Sequence, residues 1–407
     1  MSKPMYFEVG TRLGSALART GLIHTPHGDI QTPAFIVVGT KASVKAMTPE
    51  QVKGTGAQAV LANAYHLYLQ PGQKLIEQAG GLGQFMHWEG PSFTDSGGFQ
   101  VLSLGSGFKK MLSMEVEGVS ADDVTAPRKE RQAWVDQDGV DFKSYLDGSM
   151  HRFTPEHSMQ IQHGIGADIC FAFDELTSLM DDREYQEASM RTRTQPWAER
   201  SLSEMQRLRE LHPERPYQAV FGVLQGANYE DLRRETATWM AEREFDGYGI
   251  GGAIEKQRLG DIVQWCNEIL PENRPKHMLG ISEPDDMFAA VEHGVDTFDC
   301  VSPTRVARNG AYYTPEGRKN IRVAALRDDF TPLVADCPCY TCQNYTRAYL
   351  QHLFRAKELL ANTLMSIHNE TFIVGLVDQM RASIENGTFY AFRDAWLARY
   401  YHGRSAS

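Results

Sequence analysis

Residues 93–100 read FTDSGGFQ: a short apolar run, then an acid, a hydroxyl and two glycines. Similar runs leave Asp174 after DICFAF, Gln225 after AVFGVL, Gly252 after GYGIG, and Asp299 inside TFDCVS. A carboxylate so placed can attack an electrophilic carbon, carry a proton or accept hydrogen bonds, and a carboxamide or bare backbone N–H can donate them. Taken singly, each is equally well a turn residue or a helix N-cap. Together they argue for one shared site, provided that the runs are strands whose ends converge.

Eight runs can be counted: AFIVVGT (34–40), AVLANAY (59–65), SFTDSGG (92–98), DICFAFDE (168–175), AVFGVLQG (219–226), GYGIGGA (247–253), HMLGIS (277–282) and DTFDCVS (296–302). Most are separated by stretches such as YEDLRRETATWMAERE and LGDIVQWCNEIL, whose apolar residues recur at helical spacing. Strands alternating with helices build a parallel sheet, either open and doubly wound or closed as a barrel. The count of eight, with no GxGxxG after an early strand, favours a (β/α)8 TIM barrel, in which catalytic groups gather at the C-terminal strand ends. The first thirty residues read as an N-terminal antiparallel hairpin that caps the barrel. The charged, turn-rich stretch 118–141 reads as a surface insertion. The expected organisation is a cap over 1–30, a barrel over 31–310, and a zinc-binding subdomain with closing helices over 311–407.

The metal expectation comes from CPCYTC, which sets Cys337, Cys339 and Cys342 within six residues, and from His368 after a helical stretch. Three thiolates and an imidazole form a closed tetrahedral set for Zn²⁺ with no position left for water, which makes the site structural. Three buried cysteines and an unrelated histidine are the plainer alternative. Cys170, Cys266 and Cys300 sit in apolar contexts and read as core residues.

Composition narrows the classes. With 407 residues, 42% of them hydrophobic, the chain can bury a large core, and six cysteines are too few for a disulfide scaffold. No run approaches the roughly 18 apolar residues that span a bilayer, and the N-terminus lacks a signal-like apolar core, so a soluble cytoplasmic protein without membrane contact is expected. A net charge of −11 argues against a surface that coats nucleic acid throughout. Locally the balance reverses: between 305 and 327 six basic residues face the single acid Glu316, and Arg347, Arg355 and Lys357 follow the cysteine cluster. Such a run is often only a solvated face, but this one adjoins Asp299 and could bind the phosphates of a polyanion.

In this order, FTDSGGFQ, FDE, GVLQG, GIGGA, FDCVSPTRVARNG and C-x-C-x2-C with a distant histidine resemble the tRNA-guanine transglycosylases, over most of the chain. The resemblance implies a (β/α)8 barrel with a zinc-binding subdomain, acting as a homodimer on tRNA. It implies exchange of the wobble guanine for a 7-deazaguanine base in queuosine biosynthesis, with Asp299 as nucleophile and Asp95 as general acid/base. Breaking an N-glycosidic bond while keeping the chain intact needs a nucleophile at the anomeric carbon and a second carboxyl group for the bases, as in retaining glycosidases. A guanine-like base needs an acceptor such as Asp174 and donors such as Gln225 and the Gly252 N–H, with Ser96, Gly97, Gly98 and Phe99 beside it. By the same resemblance Arg305 and Arg308 contact the bases flanking the wobble position, Thr304, Arg305, Val306, Ala307 and Arg308 form a recognition loop, and Gly280 joins the tRNA contacts.

The chain departs from the bacterial pattern at Leu176, where cysteine or valine is usual, at Ala253-Ile254-Glu255-Lys256, where leucine and small residues are usual, and at Phe99, where tyrosine is frequent. The first two resemble positions that set the room for a 7-substituent. 7-Aminomethyl-7-deazaguanine is the first expectation for the incoming base and queuine the second. Glu255 either bonds the aminomethyl cation or lies on the rim. The competing readings are a zinc hydrolase, a non-catalytic tRNA-binding zinc subunit, and base exchange on another nucleic acid.

Overall fold

The computed structural model describes residues 5–100 and 133–402. Eight parallel strands close into a barrel: β4 (Ala34–Val38), β5 (Val60–Ala62), β6 (Ser92–Thr94), β10 (Ile169–Phe171), β11 (Ala219–Leu224), β12 (Gly247–Ile250), β13 (Lys276–Met278) and β14 (Thr297–Cys300). Seven of them fall within the expected runs, and β13 overlaps its run but begins one residue before it, at Lys276. The sheet closes where β14 pairs with β4, in the register Asp299 opposite Ile36, and that closure brings the last strand's acid round to the first strands. Most barrel strands are buried along their whole length, which is why they read as continuous apolar runs without alternation.

The N-terminal antiparallel element has three strands, β1 (Tyr6–Arg12), β2 (Arg19–Thr25) and β3 (Gly28–Thr32). Phe7, Ile23 and Ile30 join Ile36, Phe93, Phe171 and Phe221 in one buried cluster, so this sheet packs over the interior of the barrel. It is tied to the N-terminal strand ends by polar contacts as well. Arg19 makes a fully buried bidentate pair with Asp296, just before β14, and His27 reaches Asp168, just before β10, at 2.7 Å. The face bearing the catalytic candidates is left open at the opposite end.

Between β6 and the helix Pro155–Ile165 a small antiparallel sheet is built from β7 (Ala133–Val135), β8 (Val140–Lys143) and β9 (Met150–Phe153). Of the stretch 118–141, residues as far as 132 lie outside the described ones; the rest enters β7 and β8, with Ala133 and Val140 buried. Phe142 and Phe153 pack edge to face, 5.1 Å apart, and both contact Tyr65 above the β5 end. After β14 come the hairpin β15 (Ala311–Thr314) and β16 (Gly317–Asn320), the cysteine cluster, and the helices Leu359–Glu385 and Phe389–His402. The long helix is joined to the barrel's last helix by Asn369, which donates to the Pro303 and Ala311 carbonyls and accepts from the Tyr313 N–H.

Candidate active site

A cavity of about 450 Å³ opens at the C-terminal ends of the strands, lined by Asp95, Ser96, Gly97, Phe99, Asp174, Gln225, Gly252, Gly280, Asp299 and Arg305 among others. Asp95 and Asp299, which are 204 positions apart in the chain, thus face one space.

Asp95 follows β6 and lies against the start of the helix Ala64–Leu69. Its Oδ1 accepts from the Ala64 N–H at 2.8 Å, and its Oδ2 accepts a short bond from Asn63 Nδ2. Asn63 is bifunctional: its Oδ1 caps the helix by accepting from the His66 N–H at 2.9 Å. Burial pushes the Asp95 carboxyl up to about 7, against the backbone bond from Ala64, and the charge of Asp299 adds to the rise. Asp95 is thereby suited to holding and releasing a proton near neutrality.

Asp174 and Gln225 form a unit. Gln225 Nε2 donates to Asp174 Oδ2 at 2.7 Å, and the Ser96 hydroxyl donates to Oδ1 at 3.1 Å while accepting from the Gly98 N–H at 3.2 Å. Burial raises the Asp174 carboxyl to about 6, although both hydrogen bonds oppose the rise. The opening motif is explained by this packing: a Cβ at Gly98 would lie 2.6 Å from the Asp174 carbonyl oxygen, so only glycine lets the loop run so close. Gly252 has φ +102°, and a Cβ there would meet Gln225 Oε1 at 2.8 Å and Arg233 Nη2 at 2.9 Å.

Arg233 is a residue that sequence reasoning missed. It is fully buried on the helix Glu230–Ala241, with its pKa lowered to about 10 by burial. Its guanidinium donates to the carbonyls of Ala227, Leu224 and Gly251, clamping the ends of β11 and β12 beneath the Gln225–Gly252 wall. Within an amphipathic helix it reads as any exposed arginine.

Asp299 lies within β14, its Oδ1 accepting from His277 Nε2 at 3.0 Å and from the Gly280 N–H at 3.3 Å. Gly280 therefore touches the acid itself. Thr304 to Arg308 do not form a loop. They belong to a short helix, Ser302–Arg308, begun by Pro303, with Thr304 and Ala307 buried, Val306 packed against the core, Arg305 exposed at the cavity and Arg308 half-buried. Of these residues, Arg305 presents its side chain most openly to a partner. Within the basic stretch Arg318 pairs with Glu283 at 3.1 Å, while Lys319, Arg322 and Arg327 are exposed.

Leu176 and Ala253 line the cavity, but Glu255 is exposed and stands outside its lining; Glu283 and Asp286 are the acids found there instead. Sequence reading missed both, because they lie in the loop and first turn after β13, where acids ordinarily cap a helix.

Cys337, Cys339, Cys342 and His368 converge as expected, all buried, with ligand atoms within 4.8 Å of one another. The three sulfurs lie 3.7, 3.5 and 3.4 Å from His368 Nδ1. Metal–sulfur and metal–nitrogen bonds of about 2.3 and 2.0–2.1 Å at tetrahedral angles imply sulfur–nitrogen separations of about 3.5 Å, so the residues fit a four-coordinate ion. His368 Nε2 lies 2.8 Å from the Tyr313 carbonyl, to which it donates, leaving Nδ1 as the ligating nitrogen. The cluster lies beyond the barrel strands and none of its members lines the cavity.

A family model described as queuine tRNA-ribosyltransferase matches residues 14–402. Among similar proteins, the queuine tRNA-ribosyltransferase of Roseiflexus sp. (strain RS-1) is 45% identical over 406 residues, covering 96% of this chain and 98% of its own. Those of Thermoanaerobacter sp. (strain X514) and Pelotomaculum thermopropionicum are each 44% identical, covering 94% of both chains and 97% and 98%, respectively. With that coverage and with the strand-end residues gathered in one cavity, the chain belongs to the queuine tRNA-ribosyltransferase family.

Proposed function

We propose that the protein exchanges the wobble guanine of tRNA anticodons for a 7-deazaguanine base by double displacement through an aspartyl-ribose intermediate. The observation that carries the reading is the pair of acids, Asp95 and Asp299, facing one cavity, with Asp95 held near neutrality. A lone pair of Asp299 Oδ2 forms a bond to the anomeric carbon as the bond to guanine breaks, and the electron pair leaves with the base, which takes the Asp95 proton. The incoming base returns a proton to Asp95, attacks the same carbon and releases the Asp299 carboxylate. Asp174 accepts the N–H edge of either base, while Gln225 and the Gly252 N–H donate to its carbonyl. Extruding one nucleotide from a single-stranded loop is relatively inexpensive, and Arg305 with Arg308 would hold the flanking bases and phosphates.

For the incoming base, 7-aminomethyl-7-deazaguanine is the first choice, supported by Asp286 on the cavity wall. Burial pushes its carboxyl up to about 7, and a cationic substituent would draw it into its ionised form, while Glu283 beside it is paired with Arg318. Queuine is second, supported by the smallness of Ala253. The thiolate-rich closed set at Cys337, Cys339, Cys342 and His368 suits a structural Zn²⁺, and the protein would work in the cytoplasm. A homodimer is the assembly that the family reading implies, and exposed Tyr340, Tyr349 and Leu359 on the helices at and after the cysteine cluster offer apolar surface for it. The test is covalent trapping with exchange of labelled bases. Wild type should form a denaturation-resistant tRNA adduct and incorporate the aminomethyl base; Asp299→Ala should do neither, and an adduct that survives in Asp299→Ala would refute the reading.

A further inference from the structure

His277 has no part in the reading so far, yet among the described residues it is the side chain that hydrogen-bonds Asp299. It stands on β13, fully buried, its ring 5.6 Å from that of Phe93 and 5.1 Å from that of Phe171, in the barrel interior. Its Nδ1 lies 2.9 Å from Thr297 Oγ1 and its Nε2 3.0 Å from Asp299 Oδ1. Thr297 and Asp299 are two apart on β14 and so project to the same face of the strand, with His277 paired directly opposite Thr297. One imidazole thus spans both. A carboxylate oxygen can only accept, so Nε2 carries the hydrogen, and the Thr297 hydroxyl, donating to Nδ1, fixes that tautomer.

We propose that His277, oriented by Thr297, is a positioning residue that holds the Asp299 carboxylate for attack. The inference rests on Asp299 being the nucleophile. Two donors, His277 Nε2–H and the Gly280 N–H, converge on Oδ1, and among the described residues no hydrogen bond reaches Oδ2. Rotation of the carboxylate is thereby stopped with one oxygen tied and the other available for the bond to the anomeric carbon. The same donors serve the return half. As the ester bond breaks and its electron pair moves back onto the carboxylate, charge grows on Oδ1, and a hydrogen bond to a charged acceptor is stronger than one to an ester carbonyl. The contact therefore strengthens as the ester is broken, whereas in the forward half it acts by holding the attacking oxygen in place.

The test uses the zinc-loaded full chain and anticodon stem-loop tRNA. His277→Phe keeps a ring among Phe93 and Phe171 but removes the donor; His277→Gln retains an N–H near the position of Nε2; Thr297→Val removes only the hydroxyl. Adduct formation in a single turnover without incoming base, and kcat and KM for tRNA in guanine exchange, are measured for each. For His277→Phe, adduct formation and kcat should fall by about 100-fold with KM for tRNA held within about two-fold, the loss that misplacing a reacting group by about 1 Å can cause. His277→Gln should recover at least about ten-fold of that, and Thr297→Val should slow kcat about five-fold at unchanged KM. His277→Phe within about three-fold of wild type, a rise in KM with kcat unchanged, or no recovery by glutamine would overturn the proposal. Should His277→Phe not fold, Thr297→Val decides, and an unchanged adduct rate there overturns it. Failure of wild type to form any adduct would instead overturn the assignment of Asp299 as nucleophile, so the two failures are told apart.

Discussion

Replacing Asp95 by asparagine should flatten the pH dependence of folding stability, and burial sets the size of the effect. In the folded chain the Asp95 carboxyl is pushed up from 3.8 to about 7, by burial first and by the Asp299 charge in addition. Below about pH 4 folded and unfolded chains both hold the proton and the group contributes no slope. Between about pH 4 and about pH 7 the unfolded chain ionises while the folded chain keeps its proton, so stability falls as pH rises; above about pH 7 both are ionised and the fall stops. Roughly three pKa units at 1.36 kcal/mol each amount to at most about 4 kcal/mol across that window. With an unfolding entropy of about 2 cal/mol/K per residue, this is about 5 °C of melting temperature for a chain of 407 residues. Scanning calorimetry of wild type and Asp95→Asn at several pH values from about 4 to about 8 should show the melting-temperature difference, variant minus wild type, growing by about that amount and then levelling. Asparagine keeps an acceptor for the Ala64 N–H but sets its own amide against that of Asn63, which adds an offset of about 1–3 kcal/mol that does not vary with pH. The slope is therefore the decisive quantity. A difference that stays flat over the whole range would refute the argument that burial keeps Asp95 protonated near neutrality, and with it the basis for Asp95 as proton donor.

Two further outcomes follow from the geometry. Gly252→Ala should raise KM for the incoming base at least about ten-fold and lower stability by about 1–3 kcal/mol, since a Cβ at φ +102° must displace Gln225 or Arg233; base titration of the exchange rate and denaturant unfolding check both, and wild-type values would remove Gly252 from the pocket wall. The purified protein should carry one zinc per chain by elemental analysis, and stripping it or making Cys339→Ser should lower the melting temperature without altering the pH slope assigned to Asp95, because the metal cluster lies outside the cavity. An unmoved melting temperature would show that the metal does not hold the subdomain.

The helix Ser302–Arg308 marks where resemblance and local signals diverge. Pro303 just inside a polar start is a helix N-terminal pattern that could have been read from SPTRVAR, and its helical spacing already implies that Thr304 and Ala307 share a face turned away from Arg305. The acids at the cavity wall were harder to foresee. Glu283 and Asp286 look like an ordinary first turn, and only barrel closure turns them towards the space above Asp299.

What the sequence by itself determined is what short-range chemistry dictates. Fully buried parallel strands must be continuous apolar runs, and CPCYTC can gather three sulfurs with little help from the rest of the chain. What only the tertiary structure decided is which distant groups share a proton or a hydrogen bond. His277 meets Asp299 because β13 pairs with β14 in one particular register, Asn63 meets Asp95 because β5 lies beside β6, and Arg233 serves β11 and β12 because its helix packs beneath their ends. Strand register and barrel closure arise from the sum of many weak contacts across the whole core, and no local stretch encodes them.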